Sequence, residues 1–334
     1  MSFYRISCVL IAGFIVTFLI NPNLVESHHP SPAVLQGSGK AEEGSISSDS
    51  MLNSPTASTL GKNHASLGFV FQNLRFNPVP AGDAHDLHHR GRDIHGKNHE
   101  EFYMLQLGYG VLKNLDLFLS APIVSKASIQ VEGHQRLGNR ENSEGFGDMR
   151  LLAKYRFWTS GLEAALLAAA KFPTGETSEK DGAGRKFEIE NQAGSGSWDG
   201  EFGMAVSRNF WERLSLAQSF PYELKGKGGQ EQKAGNVFRY NLGASVAVRK
   251  RGTYPNLRFI TELNFEWAAK ERSRTERRVF DSGRTTVFFT PGVFADCHPR
   301  FSAFWGMPIP ISQNLGGEHE ELKHEILTGF SVQV

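Results

Sequence analysis

The chain has 334 residues, a formal net charge of +1, 40 % hydrophobic residues, 35 glycines and two cysteines. The near-neutral charge argues against a surface built for nucleic acid, and so few cysteines exclude a disulfide-stapled fold. Abundant glycine suits tight turns and crowded sheet positions rather than helices.

Arg5 precedes an apolar run from Ile6 to Ile20, and Val25-Glu26-Ser27 follows it. This pattern predicts a signal peptide over 1–27, cleaved after Ser27, and therefore export. A membrane anchor is the alternative, but the run is short and no basic stop signal follows it. Cys8 leaves with the signal peptide, so Cys297 remains without an intramolecular partner. Residues 28–62 are rich in Ser, Gly and Pro, a composition that predicts a disordered polar segment.

Residues 63–334 read as strands separated alternately by short turns and long loops. The expected strands are 65–76, with imperfect alternation that suggests a bulge, then 101–111, a third from Leu115, and 146–158. They continue with 162–173, 198–210, 214–224, 238–249, a ninth from Leu257 to Trp267, 285–296, 300–311 and 324–334. Alternation is cleanest from Phe238 to Arg249, where Phe238, Tyr240, Leu242, Ala244, Val246 and Val248 share one face. A half-greasy strand of roughly 10 residues can cross a membrane in a closed barrel. Twelve strands with this turn asymmetry predict an all-β, transmembrane, antiparallel up-and-down β-barrel. With the short turns in the periplasm, both termini are periplasmic. The alternative is a soluble β-sandwich or secreted barrel, whose exposed faces would be polar.

A charged side chain facing lipid at the midplane costs about 2–4 kcal/mol, so the charged face points inward. By phase the lumen receives Asp148, Arg150, Lys154, Arg156, Lys171, Asp199, Glu201, Arg239, Arg249, Arg258, Glu262 and Glu266. These residues either tune the selectivity of a hydrated conduit or form salt bridges that stabilise the barrel. Trp158, Trp211, Trp267 and Trp305 fall near strand ends, as interfacial aromatics do. The first long loop is rich in histidine: His85, His88, His89, His95 and His99, among Asp and Glu. Imidazoles and carboxylates can take Zn²⁺, Cu²⁺ or Ni²⁺, although the spacing matches no closed structural site. A solvated polar loop is the other reading. No cofactor is otherwise implied.

The chain has no G-x-S-x-G, H-E-x-x-H or phosphate-binding glycine loop, so an enzyme is not expected. Three segments carry a resemblance. Gly145-Phe146-Gly147-Asp148-Met149-Arg150 runs on to Lys154-Tyr155-Arg156; Lys171-Phe172-Pro173-Thr174-Gly175 and Gly194-Ser195-Gly196-Ser197-Trp198-Asp199 follow in order. Together they resemble an outer-membrane barrel family named for the MetA pathway of phenol degradation. Its members are commonly labelled transporters of Gram-negative bacteria. The resemblance implies passage of small solutes, aromatic compounds among them. The partners expected are outer-membrane lipid, the barrel assembly machinery and a small solute, with no nucleic acid. The alternative function is a non-conducting binding or structural barrel whose His-rich loop captures metal.

Overall fold

The computed structural model describes residues 50–77, 98–130, 140–316 and 321–334, apart from 183, 188, 274, 276, 277, 280 and 281. Period-2 alternation produces the strands β1 (Ala65–Phe76), β2 (His99–Leu112), β3 (Leu115–Gln130), β4 (Arg140–Phe146) and β5 (Arg150–Trp158). Next come β6 (Glu163–Lys171), β7 (Asp199–Phe210), β8 (Leu214–Ser219), β9 (Tyr222–Leu224) and β10 (Val237–Ala247). The chain ends with β11 (Asn256–Ala268), β12 (Arg284–His298), β13 (Phe301–Gly306), β14 (Ile309–Leu315) and β15 (Leu322–Gln333).

Three consecutive pairs each form one strand of the wall. β4 and β5 both pair with β3, β8 and β9 both lie between β7 and β10, and β13 and β14 both pair with β12. Two of the breaks carry Pro221 and Pro308, which have no N–H for the ladder. β15 pairs with β1 from Ser66↔Gln333 to Phe76↔Leu322 and closes the ring. The result is a closed antiparallel barrel of twelve wall strands. Closure leaves no edge, so every wall strand pairs its backbone on both sides, as lipid requires. Among the described residues no helix is long and apolar enough to cross a membrane; the crossing is made by strands.

The phase of the strands follows the sequence closely. On β11, Leu257, Phe259 and Leu263 are exposed on the outside, while Arg258, Glu262 and Glu266 are buried inside. Leu263→Arg therefore places a cation on the lipid face and is expected to destabilise the barrel by about 2–4 kcal/mol, read by denaturant unfolding in lipid vesicles. An unchanged midpoint would move Leu263 out of the membrane band.

Several expectations need correction. Arg249 does not enter the lumen: β10 ends at Ala247 and Arg249 is exposed in the following turn. There its backbone N–H donates to Asn256 Oδ1 at 2.9 Å and its guanidinium to the Pro255 carbonyl at 3.1 Å. The segment before the strand expected at 146–158 is partly sheet, because β3 runs on to Gln130 and pairs with β4 as a hairpin extension. The bulge expected in the first strand falls at its end, where the ladder with β15 shifts register between Arg75 and Phe76. Most consequential, residues 50–62 were expected to be disordered, yet Met51, Leu52, Thr56, Ala57, Ser58, Thr59 and Leu60 are all buried. Residues 1–49, with the expected cleavage after Ser27, and His85, His88, His89 and His95 lie outside the described residues.

Candidate functional site

The segment from Ser50 to His64 crosses the inside of the barrel as a strap. It leaves β1 at the short-turn end, where Asn63 N–H donates to the Gly110 carbonyl at 2.8 Å. Gly110 has to be glycine, since a Cβ there would collide with the Gly61 carbonyl. Leu60 N–H then donates to Asp116 Oδ2 on β3 at 2.8 Å, and Ala57 N–H to Ser207 Oγ on β7 at 3.3 Å. At the far wall Glu262 on β11 accepts Leu52 N–H at 2.5 Å, Asn53 N–H at 3.0 Å and Ser54 Oγ–H at 2.9 Å. Arg258 Nη1 donates to the Ser50 carbonyl at 3.0 Å. β3 and β11 are six wall strands apart in a ring of twelve, so the strap spans the full bore.

Small side chains let this strap fit. The Ser, Thr and Ala content that reads as disorder-prone leaves room for the backbone to reach wall carboxylates. Two larger residues are received by glycines of the wall. A Cβ at Gly306 would lie 2.5 Å from Leu52 Cδ1, and one at Gly243 would lie 3.0 Å from Met51 Sδ. Leu52 also packs with the luminal Val70, Ile260, Phe294, Phe304 and Leu327. The strap is thus held by an apolar socket and by hydrogen bonds to buried carboxylates, the stronger class of hydrogen bond.

Around the strap the wall is charged but paired. Lys171 Nζ lies 2.7 Å from Asp199 and 3.2 Å from Asp148. Arg150 meets Glu201 at 2.7 Å, and Arg239 bridges Glu266 at 2.7 Å and Glu223 at 3.3 Å. Arg284 makes a second pair with Glu266, and Arg258 pairs with Asp296 at 2.7 Å. Arg156 meets Glu163 at 3.4 Å, and Lys154 lies 5.3 Å from the centre of the Phe118 ring. All of the expected lumen residues except Arg249 face the interior. Removing one partner of such a buried pair strands the other and costs about 3–5 kcal/mol. The inward charges thus form a paired network along the wall.

Sequence reasoning missed Asp116, Glu223, Lys225, Arg284 and Asp296. Four of these stand at inward phase on wall strands, so the alternation could have found them. Lys225 follows β9 and has no periodic signal. Its Nζ lies 2.5 Å from Glu223 and 3.3 Å from Asp199. Burial works against its charge, but these two carboxylates outweigh that and hold Lys225 above the ordinary lysine range.

Two cavities lie on the long-loop side of the strap. One, of about 70 Å³, is bounded by Asn53, Asn241, Asn264 and Glu325. The larger, of about 230 Å³, is a vestibule between the wall and the loops around Gln192 and Gly228. The "G-S-G-S" loop reaches into it. Asp148 accepts from Ser195 N–H at 2.9 Å and from Gly175 N–H at 3.0 Å, and Lys171 donates to Ser195 Oγ at 2.5 Å. The three sequence motifs thus meet at one place, far apart as they are in the chain. Among the described residues no group of three His, Cys, Asp or Glu is arranged to hold a metal. His99, the described member of the histidine-rich set, opens β2 between Arg75 and Ala127.

A family model described as "Putative MetA-pathway of phenol degradation" matches residues 91–298. The chain belongs to this family. The matched region holds every motif that meets at the vestibule and most of the luminal ion pairs, whereas the strap precedes it. Among solved structures, the fold is similar to an outer membrane channel from Pseudomonas putida F1, at 14 % identity and a TM-score of 0.58. That match covers 83 % of this chain and 97 % of the other. A second similar structure is the CymD monoaromatic hydrocarbon channel, at 9 % identity and a TM-score of 0.39, covering 81 % of this chain and 88 % of that one. No curated protein sequence matches the chain.

Proposed function

We propose that this barrel is an outer-membrane conduit for small solutes, with its N-terminal strap as the constriction. The observation that carries the reading is the interior itself. A closed wall, apolar outside, encloses paired charges and cavities, and a separate segment crosses the bore between opposite strands, packed among luminal wall side chains. Side chains from the strands can fill the bore of an eight-stranded barrel; in this wider ring of twelve a separate piece of chain crosses it.

The short turns face the periplasm and place both termini there, while the long loops face outward. The family description, which names phenol degradation, makes aromatic compounds the first solutes to try. The reading includes no enzymatic step, and the barrel assembly machinery inserts the chain. Purified barrel should show heat-modifiable gel mobility, conductance in a planar bilayer and swelling of proteoliposomes in small solutes. A folded barrel that passes neither ions nor solutes, with and without residues 50–62, would overturn the conduit and leave a binding or structural barrel.

A further inference from the structure

The smaller of the two cavities lies in the bore itself. Its lining runs round consecutive wall strands, from Gln72 on β1 and Glu325 on β15 to Asn264 on β11 and Arg239 on β10. All four stand at inward phase on their strands, and the strap contributes Asn53.

Glu325 is the unmatched group of this lining. It is 3 % exposed. One oxygen, Oε1, accepts from Gln72 Nε2 at 2.6 Å. The other, Oε2, has no hydrogen-bond partner and no cation in ion-pair reach, yet it keeps accessible surface. The second carboxylate of the cavity is not short of cations: Glu266 is met by both Arg239 and Arg284. Arg239 is in turn shared with Glu223 at 3.3 Å. The charged side chains of the lining are Arg239, Glu266 and Glu325, one cation against two anions, so the cavity carries a net charge of −1.

A buried carboxylate is neutralised either by its own proton or by a cation. Two features favour the cation. The open oxygen borders a space of about 70 Å³, and one water needs about 10–15 Å³, so a small ion fits. A second acceptor lines the same space. Asn53 donates through Nδ2 to Thr290 Oγ1 at 3.4 Å, while its Oδ1 has no partner and keeps accessible surface. One carboxylate oxygen and one amide oxygen are too few for Ca²⁺, which takes six or more oxygen ligands. They suit a primary ammonium, whose N–H groups make charge-assisted bonds to such oxygens.

From these features we infer that this cavity binds a small primary ammonium ion on the open oxygen of Glu325, beside Asn53 of the strap. The inference rests on the conduit reading and deepens it by naming a solute class held in the bore; binding can be measured apart from conduction.

The test is saturation-transfer NMR titration of the barrel in nanodiscs of zwitterionic lipid, with empty nanodiscs subtracted. The probes are methylammonium, ethanol and acetate, alike in size and different in charge. Methylammonium is expected to bind about tenfold tighter than ethanol, the effect of one hydrogen bond to a charged group, and acetate more weakly than either. Glu325→Gln keeps an oxygen for Gln72 Nε2 and removes the charge. It should weaken methylammonium about tenfold and leave ethanol unchanged, with heat-modifiable mobility intact. Glu325→Asp keeps the charge and should hold methylammonium more tightly than Glu325→Gln does; it also serves, against the parent, if Glu325→Gln fails to fold, since it draws the charge back by one methylene and should bind more weakly than the parent. Equal binding of ethanol, a preference for acetate, indifference to Glu325→Gln, or no binding of methylammonium, which would mean that Glu325 keeps its own proton, would each overturn the site. Conductance separates the two readings. A barrel that conducts without binding methylammonium sinks the cation site alone, and one that binds without conducting sinks the conduit alone.

Discussion

Deletion of residues 50–62 is expected to raise single-channel conductance several-fold while the barrel keeps its heat-modifiable mobility. The reason is geometric. The strap crosses between walls six strands apart. The wall does not depend on it for pairing, since β1 closes on β15 and β2 through its own backbone. Deletion leaves Asp116 and Glu262 without their strap donors, but it also admits water to them, which removes most of the desolvation cost. Conductance equal to the parent would show that the strap is not the constriction. A deletion variant that fails to fold would show instead that Leu52 and its socket are part of the barrel's core.

The second large effect centres on Glu262. This one carboxylate accepts Leu52 N–H, Asn53 N–H and Ser54 Oγ–H from the strap, and Asn264 Nδ2 from the wall at 3.2 Å. Glu262→Ala leaves three strap donors without their acceptor, at about 1–3 kcal/mol each if they stay buried. The docked state then loses on the order of 4 kcal/mol, roughly a thousandfold in the ratio of docked to released strap, at 1.36 kcal/mol per tenfold. Glu262→Gln keeps one accepting oxygen and should fall between the parent and Glu262→Ala. Open probability in bilayers measures the shift. A thiol-reactive probe on Asn53→Cys, in a Cys297→Ser background because Cys297 is exposed, measures strap release directly. A Glu262→Ala channel with the parent's open probability and the parent's labelling rate would remove Glu262 as the anchor.

Both effects depend on a feature that the sequence does not display. The strap and its anchor are 210 residues apart for Leu52 and Glu262, and no local periodicity links them. Composition alone reads Ser50–Leu60 as part of a segment unable to order itself. Order comes from the socket, whose Gly243, Gly292 and Gly306 are spread over three strands. Seen singly, each is an ordinary strand glycine. The vestibule has the same character. Its motifs are visible in sequence as Asp148, Lys171 and Ser195–Asp199, but their hydrogen bonds to one another exist only once β5, β6 and β7 lie side by side and the loops fold over them.

Arg249 marks the limit of periodicity from the other direction. Its phase matched the lumen, yet a side chain points inward only while its strand continues. Asn256 takes its N–H and ends the ladder at Ala247.

What the sequence by itself determined is the wall: twelve strands, which face of each meets lipid, and which charges are turned inward. Alternation is a local property, set by the period of two in extended backbone and by the cost of charge in lipid. What only the tertiary structure decided is how the bore is filled and where a vestibule opens. The first depends on contacts across the diameter of a closed ring, and the second on loops that fold over the adjoining strands β5, β6 and β7, between residues with no neighbourhood in the chain.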